Sequence, residues 1–362
     1  MIKYSILVVF IFPILLTGWF SDNKESIADE WNKETPVSEV LWGLGEEKPK
    51  HFVRNITKEK IKQGEELVKI GKTTSPKGRK TTFISKYYAC TSCHNIGRED
   101  PDLTKVDPDA RLDYAVEQNM PYLQGSTFWG IVDRETWYND DYIKKYGDLL
   151  DKAQGDLKES IQVCAVYCSQ GRKVKKWEID AILAYYWSLQ IKVGDLDLSD
   201  EDWASIKENA ADANKKEELT QLIKSKYMQK SPATFTDPPE DKKEGYAYKG
   251  RPAKGEAIYR LSCMHCHRAN GESEVILDKT KSSFRWLKKH MFDNTQLSAY
   301  HVIRKGTYDA LGHQEYMPHY TLEKLSDQQM EDLRAYIEMG AGPKFSSLPT
   351  SKAGDAKKAQ RF

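Results

Sequence analysis

Two five-residue segments carry the same reactive side chains at the same spacing: Cys90-Thr91-Ser92-Cys93-His94 and Cys263-Met264-His265-Cys266-His267. Both read C-x-x-C-H, the pattern of covalent haem attachment. Each cysteine adds across one haem vinyl group to form a thioether. Two intervening residues let both sulfurs reach, and the adjacent histidine falls beneath the iron as proximal ligand. The motifs begin 173 residues apart, far beyond the spacing of a zinc site made from two C-x-x-C pairs. Neither sits in the β-α-β pattern that a thioredoxin-type redox pair requires. The expected cofactors are two covalently bound haem c groups, held by Cys90, Cys93 and His94 and by Cys263, Cys266 and His267.

The elements that must position these motifs read as helices. Thr57 opens a helical pattern through Ile61, Glu65, Val68 and Lys69 that stops near Gly71. A basic, turn-rich insert, 72-KTTSPKGRKTT-82, then leads into the first motif. This half closes with 177-WEIDAILAYYWSLQ-190, apolar over a wide helical face. The second half repeats the order: 254-KGEAIYRLS-262, the second motif, a polar stretch, and 325-LSDQQMEDLRAYIEMG-340. In that last segment Ser326 and Gln329 form a capping box with Leu325 as staple, and Gly340 is the expected C-terminal cap. Ala184-Tyr185-Tyr186 and Ala335-Tyr336-Ile337 hold corresponding places, which implies an internal duplication. The expected fold is all-α, with domains at 56–192 and 247–345. A charged segment, 193–246, joins them; it contains a helix capped by Ser199 and a Pro-containing linker, 231-SPATFTDPPEDKKEG-245. Residues 22–55 form an N-terminal extension and 346–362 a flexible polar tail.

Charge is balanced, 55 Lys and Arg against 54 Asp and Glu, which argues against a nucleic-acid footprint. The chain begins MIKYSILVVFIFPILLTGWFSDNKE. A basic start and a short apolar run are the grammar of a signal peptide over residues 1–21, with an uncleaved membrane anchor as the alternative. Either one puts the body of the protein outside the cytoplasm, in a periplasmic or exported setting. Disulfides are permitted there, so the two cysteines outside the motifs, Cys164 and Cys168, need an explanation.

With a helix, C-x-x-C-H, a loop and a closing Ala-Tyr helix, each half resembles a class I cytochrome c domain. The resemblance implies an electron-transfer protein with a respiratory cytochrome or oxidase as partner. It also implies a methionine distal to the second iron: 316-YMPHYTLEKLSDQQMEDLRAYI-337 is similar to the ligand segment of that family and places Met317 there. His301, His313 and His319 are nearby competitors, most of them expected to face solvent.

The first half has no Met-Pro just ahead of its closing helix. In that place stands 161-IQVCAVYCSQGR-172, where Leu157, Ile161, Cys164 and Cys168 make one helical stripe ended by Gly171. On a regular helix this spacing is too wide for a disulfide without strain, so the pair reads either as two small buried thiols or as a source of a haem ligand. Residues 160–171 resemble the distal-ligand segment of diheme thiosulfate dehydrogenases, and more loosely the SoxA cytochromes, as do Asn95 and Trp129-Gly130. Tyr167 and Cys168 depart from that pattern, which has arginine and serine there. This resemblance implies Cys164 as distal ligand of the first haem, with Met120 and Cys168 as alternatives, and a sulfur oxyanion such as thiosulfate as electron donor. An anion requires cations, and Arg172 is the preferred candidate, followed by Lys173, Arg134 and Arg111. A non-enzymatic diheme electron carrier is the competing expectation.

Overall fold

A computed structural model describes residues 27–307 and 317–343. The signal or anchor segment 1–21, His313 and the 346–362 tail lie outside the described residues.

The chain is helical, and among the described residues the only β-type pairings are isolated bridges. In order, the α-helices are α1 (Val37–Gly43), α2 (Lys58–Ile70), α3 (Pro108–Glu117), α4 (Asp140–Tyr146), α5 (Leu157–Val163), α6 (Lys176–Trp187), α7 (Asp200–Asn209), α8 (Lys216–Lys224), α9 (Pro252–Ile258), α10 (Met264–Cys266), α11 (Lys281–Met291), α12 (Ala299–Lys305) and α13 (Asp327–Ala341). The predicted starts hold: Thr57, Ser199 and Ser326 each accept a backbone N–H of the first turn. One predicted stop moves. Helix α13 runs on through Gly340, whose missing Cβ makes room for the Phe284 ring.

Two helix crossings organise the molecule, α2 on α6 and α9 on α13. At the first, a Cβ on Gly64 would stand 2.0 Å from the Ala181 carbonyl oxygen and 2.8 Å from the Tyr185 Cβ. At the second, a Cβ on Gly255 would stand 2.0 Å from the Asp332 carbonyl oxygen and 2.8 Å from the Tyr336 Cβ. The halves thus share a crossing in which one helix presses its bare backbone against a turn of the other. Tyr185 and Tyr336, paired on sequence, occupy equivalent places in it.

Three apolar cores follow. The first surrounds α2 and α6, and the second surrounds α9, α11 and α13. The third joins the N-terminal extension to the connecting segment: Trp31, Val37, Val40 and Leu41 pack with Ile206, Leu219, Ile223 and Tyr227. The extension and the first part of the connecting segment are therefore a packed helical unit, and the extension is anchored on α6 where Trp187 donates to the His51 carbonyl. Nor is the Pro-containing stretch a free tether. Asn139 and Arg134 bond to Ala233 and Ser231, and Thr234 bonds Glu323 through both its backbone N–H and its hydroxyl. The halves also interleave: Leu112, Ala115 and Tyr122 of the first half bury themselves in the second core.

At either crossing even a methyl group must displace backbone. Gly64→Ala and Gly255→Ala are each expected to destabilise the protein by at least ~3 kcal/mol, the upper end of core overpacking. Denaturant unfolding of each variant measures this, and a loss under ~1 kcal/mol would show that the helices separate freely there.

Candidate haem sites

The C-terminal end of α2 and the middle and C-terminal end of α6 bracket a cavity of about 480 Å³, within the range of cofactor pockets. Cys90, Cys93 and His94 line it on one side, and Cys164 and Cys168 line it on another. Donation from His94 Nδ1 to the Ser126 carbonyl, 2.7 Å away, fixes the tautomer and leaves the Nε2 lone pair for a metal. Phe128 stacks on the imidazole at 4.5 Å and on Tyr186 of α6 at 4.7 Å. Gly125 lies so close that a Cβ would meet the His94 ring at 2.6 Å. Asn95 holds this loop in place: its side chain donates to the Pro121 carbonyl, and its own carbonyl accepts from the Phe128 N–H.

Helix α5 continues into one π-helical turn, Cys164–Cys168. This replaces the plain α-helical stripe read from spacing. The turn ends at Cys168, before Gly171: Ser169 caps it, Gln170 takes the left-handed conformation (φ 52°), and Gly171 sits against the Ile84 and Ala165 carbonyls. The neighbouring Cys168 thiol first, and then the His94 imidazole, hold the Cys164 thiol well below the ordinary range against the opposing effect of burial. Cys168, facing Cys164, is pushed up. The cavity thus brings the first motif, its histidine and both remaining cysteines together.

The second motif is built alike. His267 Nδ1 donates to the Val275 carbonyl at 2.8 Å, again leaving Nε2 available. Cys263, Met264 and Met317 pack against the second core. Met317 is held by Thr307 on both sides: its N–H donates to Thr307 Oγ1 at 2.7 Å, and its carbonyl accepts from the Thr307 N–H at 2.9 Å. Both motifs thus offer two thiols and an oriented imidazole, the donor set of covalently attached haem. The residues present fit the group.

Residues 252–340 match the family model for cytochrome c. No curated protein and no solved structure is a significant match to the chain. Residues 252–340 are thus a cytochrome c domain. A cytochrome c domain binds haem c covalently and transfers electrons, so these coarse functions belong to the protein. Within the domain, His301 lies in the first turn of α12 and His319 is buried, its side chain turned to the wall of the first cavity among Tyr142, Tyr146 and Phe235. Burial, with the charges of Lys145 and Lys305, pushes His319 down to about 3, so it is neutral. The expectation that such histidines face solvent fails for His319.

Other sequence-nominated residues are placed elsewhere than expected. Arg172 turns away from the cavity. Its guanidinium makes two 2.7 Å bonds to Glu178 and others to the carbonyls of Thr82, Phe83 and Lys173, which pins the basic insert to the start of α6. It clamps this region and is not among the residues that line the cavity. Arg111 is 1 % exposed and bonded to Glu99 and the Leu123 carbonyl. Met120 packs against the second core and does not line the first cavity. Lys173 is exposed. Of the four nominated cations, Arg134 alone lines the cavity.

Sequence reading missed a buried charge cluster that ties the halves together. Glu99 takes Arg111 at 3.0 Å and Lys324 of the second half at 2.6 Å, all nearly without solvent. Burial opposes the Glu99 charge, but the two facing cations overcome it and hold the carboxyl well below the usual range. Glu99→Gln leaves two cations without a counter-charge and is expected to cost ~3–5 kcal/mol at neutral pH. A depressed folded pKa stabilises above the unfolded value near ~4.3 and is lost as pH falls through the folded value. The gap between wild type and variant is therefore largest at neutral pH and narrows in acid below about 4. Urea melts across pH measure it, and a pH-independent gap would rule out the charge as its origin.

Proposed function

We propose that the protein is an exported diheme cytochrome c. Both C-x-x-C-H motifs carry haem c, with His94 and His267 as proximal ligands, Cys164 distal to the first iron and Met317 distal to the second. When bound, each haem supplies a one-electron redox centre. The observation that carries this reading is the contact between the two motifs: Cys266 Sγ lies 3.9 Å from the Ser92 carbonyl oxygen, and Ser92 Oγ donates to Glu272 at 3.0 Å. Attachment loops that touch bring their prosthetic groups close enough for direct electron exchange. The repeated glycine crossing and the repeated imidazole-to-carbonyl bond support a second cytochrome c domain over 56–192.

The ligand sets give the flow a direction. A thiolate pushes electron density onto iron and lowers its potential, whereas a thioether raises it. Electrons then enter at the first haem and leave from the second to an acceptor cytochrome or oxidase. We place an inorganic sulfur anion such as thiosulfate as the donor: joining two thiosulfates forms one S–S bond and releases two electrons, one for each haem. Supporting this are the cysteine sulfurs in the cavity and Arg134 on its wall. The competing reading, a non-enzymatic electron wire, draws on the engagement of Arg172 and Arg111 in structural bonds.

Low-temperature EPR of the oxidised Cys168→Ser holoprotein, in which Cys164 has no thiol to pair with, is expected to show a thiolate-ligated low-spin signal that disappears when Cys164→Met is added while the second haem signal persists. A Cys168→Ser spectrum with His/Met signals alone removes Cys164 from the iron. Thiosulfate oxidation with an artificial acceptor is expected in the wild type and lost at least ~100-fold in Cys164→Met. Absence of wild-type turnover with sulfur oxyanions leaves the electron wire.

A further inference from the structure

The first cavity holds more sulfur than attachment and axial ligation use. Besides Cys90 and Cys93, both Cys164 and Cys168 line it, one turn apart on the same stretch of chain. They stand at the two ends of one π-helical turn, a wide turn found mostly as a single turn at functional sites. That turn is the last of its helix. Ser169 N–H closes on the Cys164 carbonyl at 2.9 Å, Gln170 turns left-handed, and the chain then leaves. Drawing the sulfurs together therefore distorts a helix end and not a helix interior. Tyr167, between the cysteines, is 59 % exposed, so the outer face of the turn has room to adjust.

We propose that Cys164 and Cys168 form a redox-active dithiol centre that exchanges two electrons with the two haems. Counted from two thiols, closure breaks two S–H bonds and forms one Sγ–Sγ bond. Two protons pass to solvent, and two ferric irons become ferrous. A disulfide carries two electrons and each haem one, so a single closure matches the capacity of the pair. Closure also withdraws Cys164 from the first iron, which makes the distal position of that haem dependent on the oxidation state of the thiols. The chemical class of partner this suits is a small thiol or sulfane sulfur able to exchange with Cys168. The proposal rests on a haem filling the first cavity.

The test uses the holoprotein. Oxidised with ferricyanide, denatured and alkylated with iodoacetamide, it is expected to take no label at Cys164 and Cys168. After dithionite reduction both are labelled, as read by peptide mass spectrometry. Reductive titration of the oxidised wild type is expected to consume two electrons more than its haem content, and that of Cys168→Ser no excess. Haem content, measured as the pyridine haemochrome, separates two failures. Two haems per chain with both thiols labelled after oxidation overturns the dithiol centre and leaves the haem assignment standing. One haem per chain overturns both.

Discussion

The absence of a side chain at Gly64 and at Gly255 is the constraint on which the rest of the structure depends. At each point a helix backbone lies against a carbonyl of its partner, where a Cβ would stand 2.0 Å from oxygen. So close an approach fixes the crossing with little freedom to slide. Each C-x-x-C-H motif follows the glycine-bearing helix, so the crossing sets where the thiols and imidazole emerge. In the second half the link is direct, since α9 passes through the turn Tyr259–Cys263 into the motif. The first half interposes the basic insert, and the clamp from Arg172 to Thr82, Phe83 and Glu178 restores the fixed geometry that the insertion would otherwise loosen.

The interface between the halves is polar where it is most buried. Glu99 is neutralised by one cation from its own half and one from the other. Arg251 bridges Asp109 and Asp332 in the same way nearer the surface. Apolar packing tolerates small slips, whereas a buried carboxylate with two cations is costly in any register but its own. Such contacts therefore specify how the halves meet more than how tightly. That specification matters because the two C-x-x-C-H loops touch at Ser92 and Cys266, and in the proposed diheme reading electron exchange depends on their separation.

Residues with strong local signatures were legible in the sequence. The motifs, the helix starts at Thr57 and Ser326 and the Tyr185 and Tyr336 pairing need only neighbouring residues to be read. The crossing glycines left a trace, a Gly-Glu pair in each helix (Gly64-Glu65 and Gly255-Glu256), but a single glycine in a helix does not reveal what presses against it. Arg172 misleads for a related reason. Its position beside the cysteine turn suggests a ligand, yet Glu178, six residues on, satisfies it. The partners of Glu99 are 12 and 225 residues away, so no local pattern could announce the cluster. The stretch 231–235, polar and proline-containing, reads as a tether; its bonds to Arg134, Asn139 and Glu323 come from segments distant in sequence.

The segment that carries Met317 joins these threads. Met317 itself packs against the second core, while Pro318, His319, Thr321 and Lys324 line the first cavity. One short stretch thus builds the surroundings of both sites. Its two ends are fixed independently, by Thr307 on Met317 and by Glu99 on Lys324. A shift of this stretch toward either site is a shift away from the other. Neutral His319, set among Tyr142, Tyr146 and Phe235, keeps the wall between them free of a buried positive charge that would raise the potential of the nearer haem. Under the proposed ligand assignment, the order of potentials that drives electrons from the first site to the second depends on this shared wall as well as on the ligands.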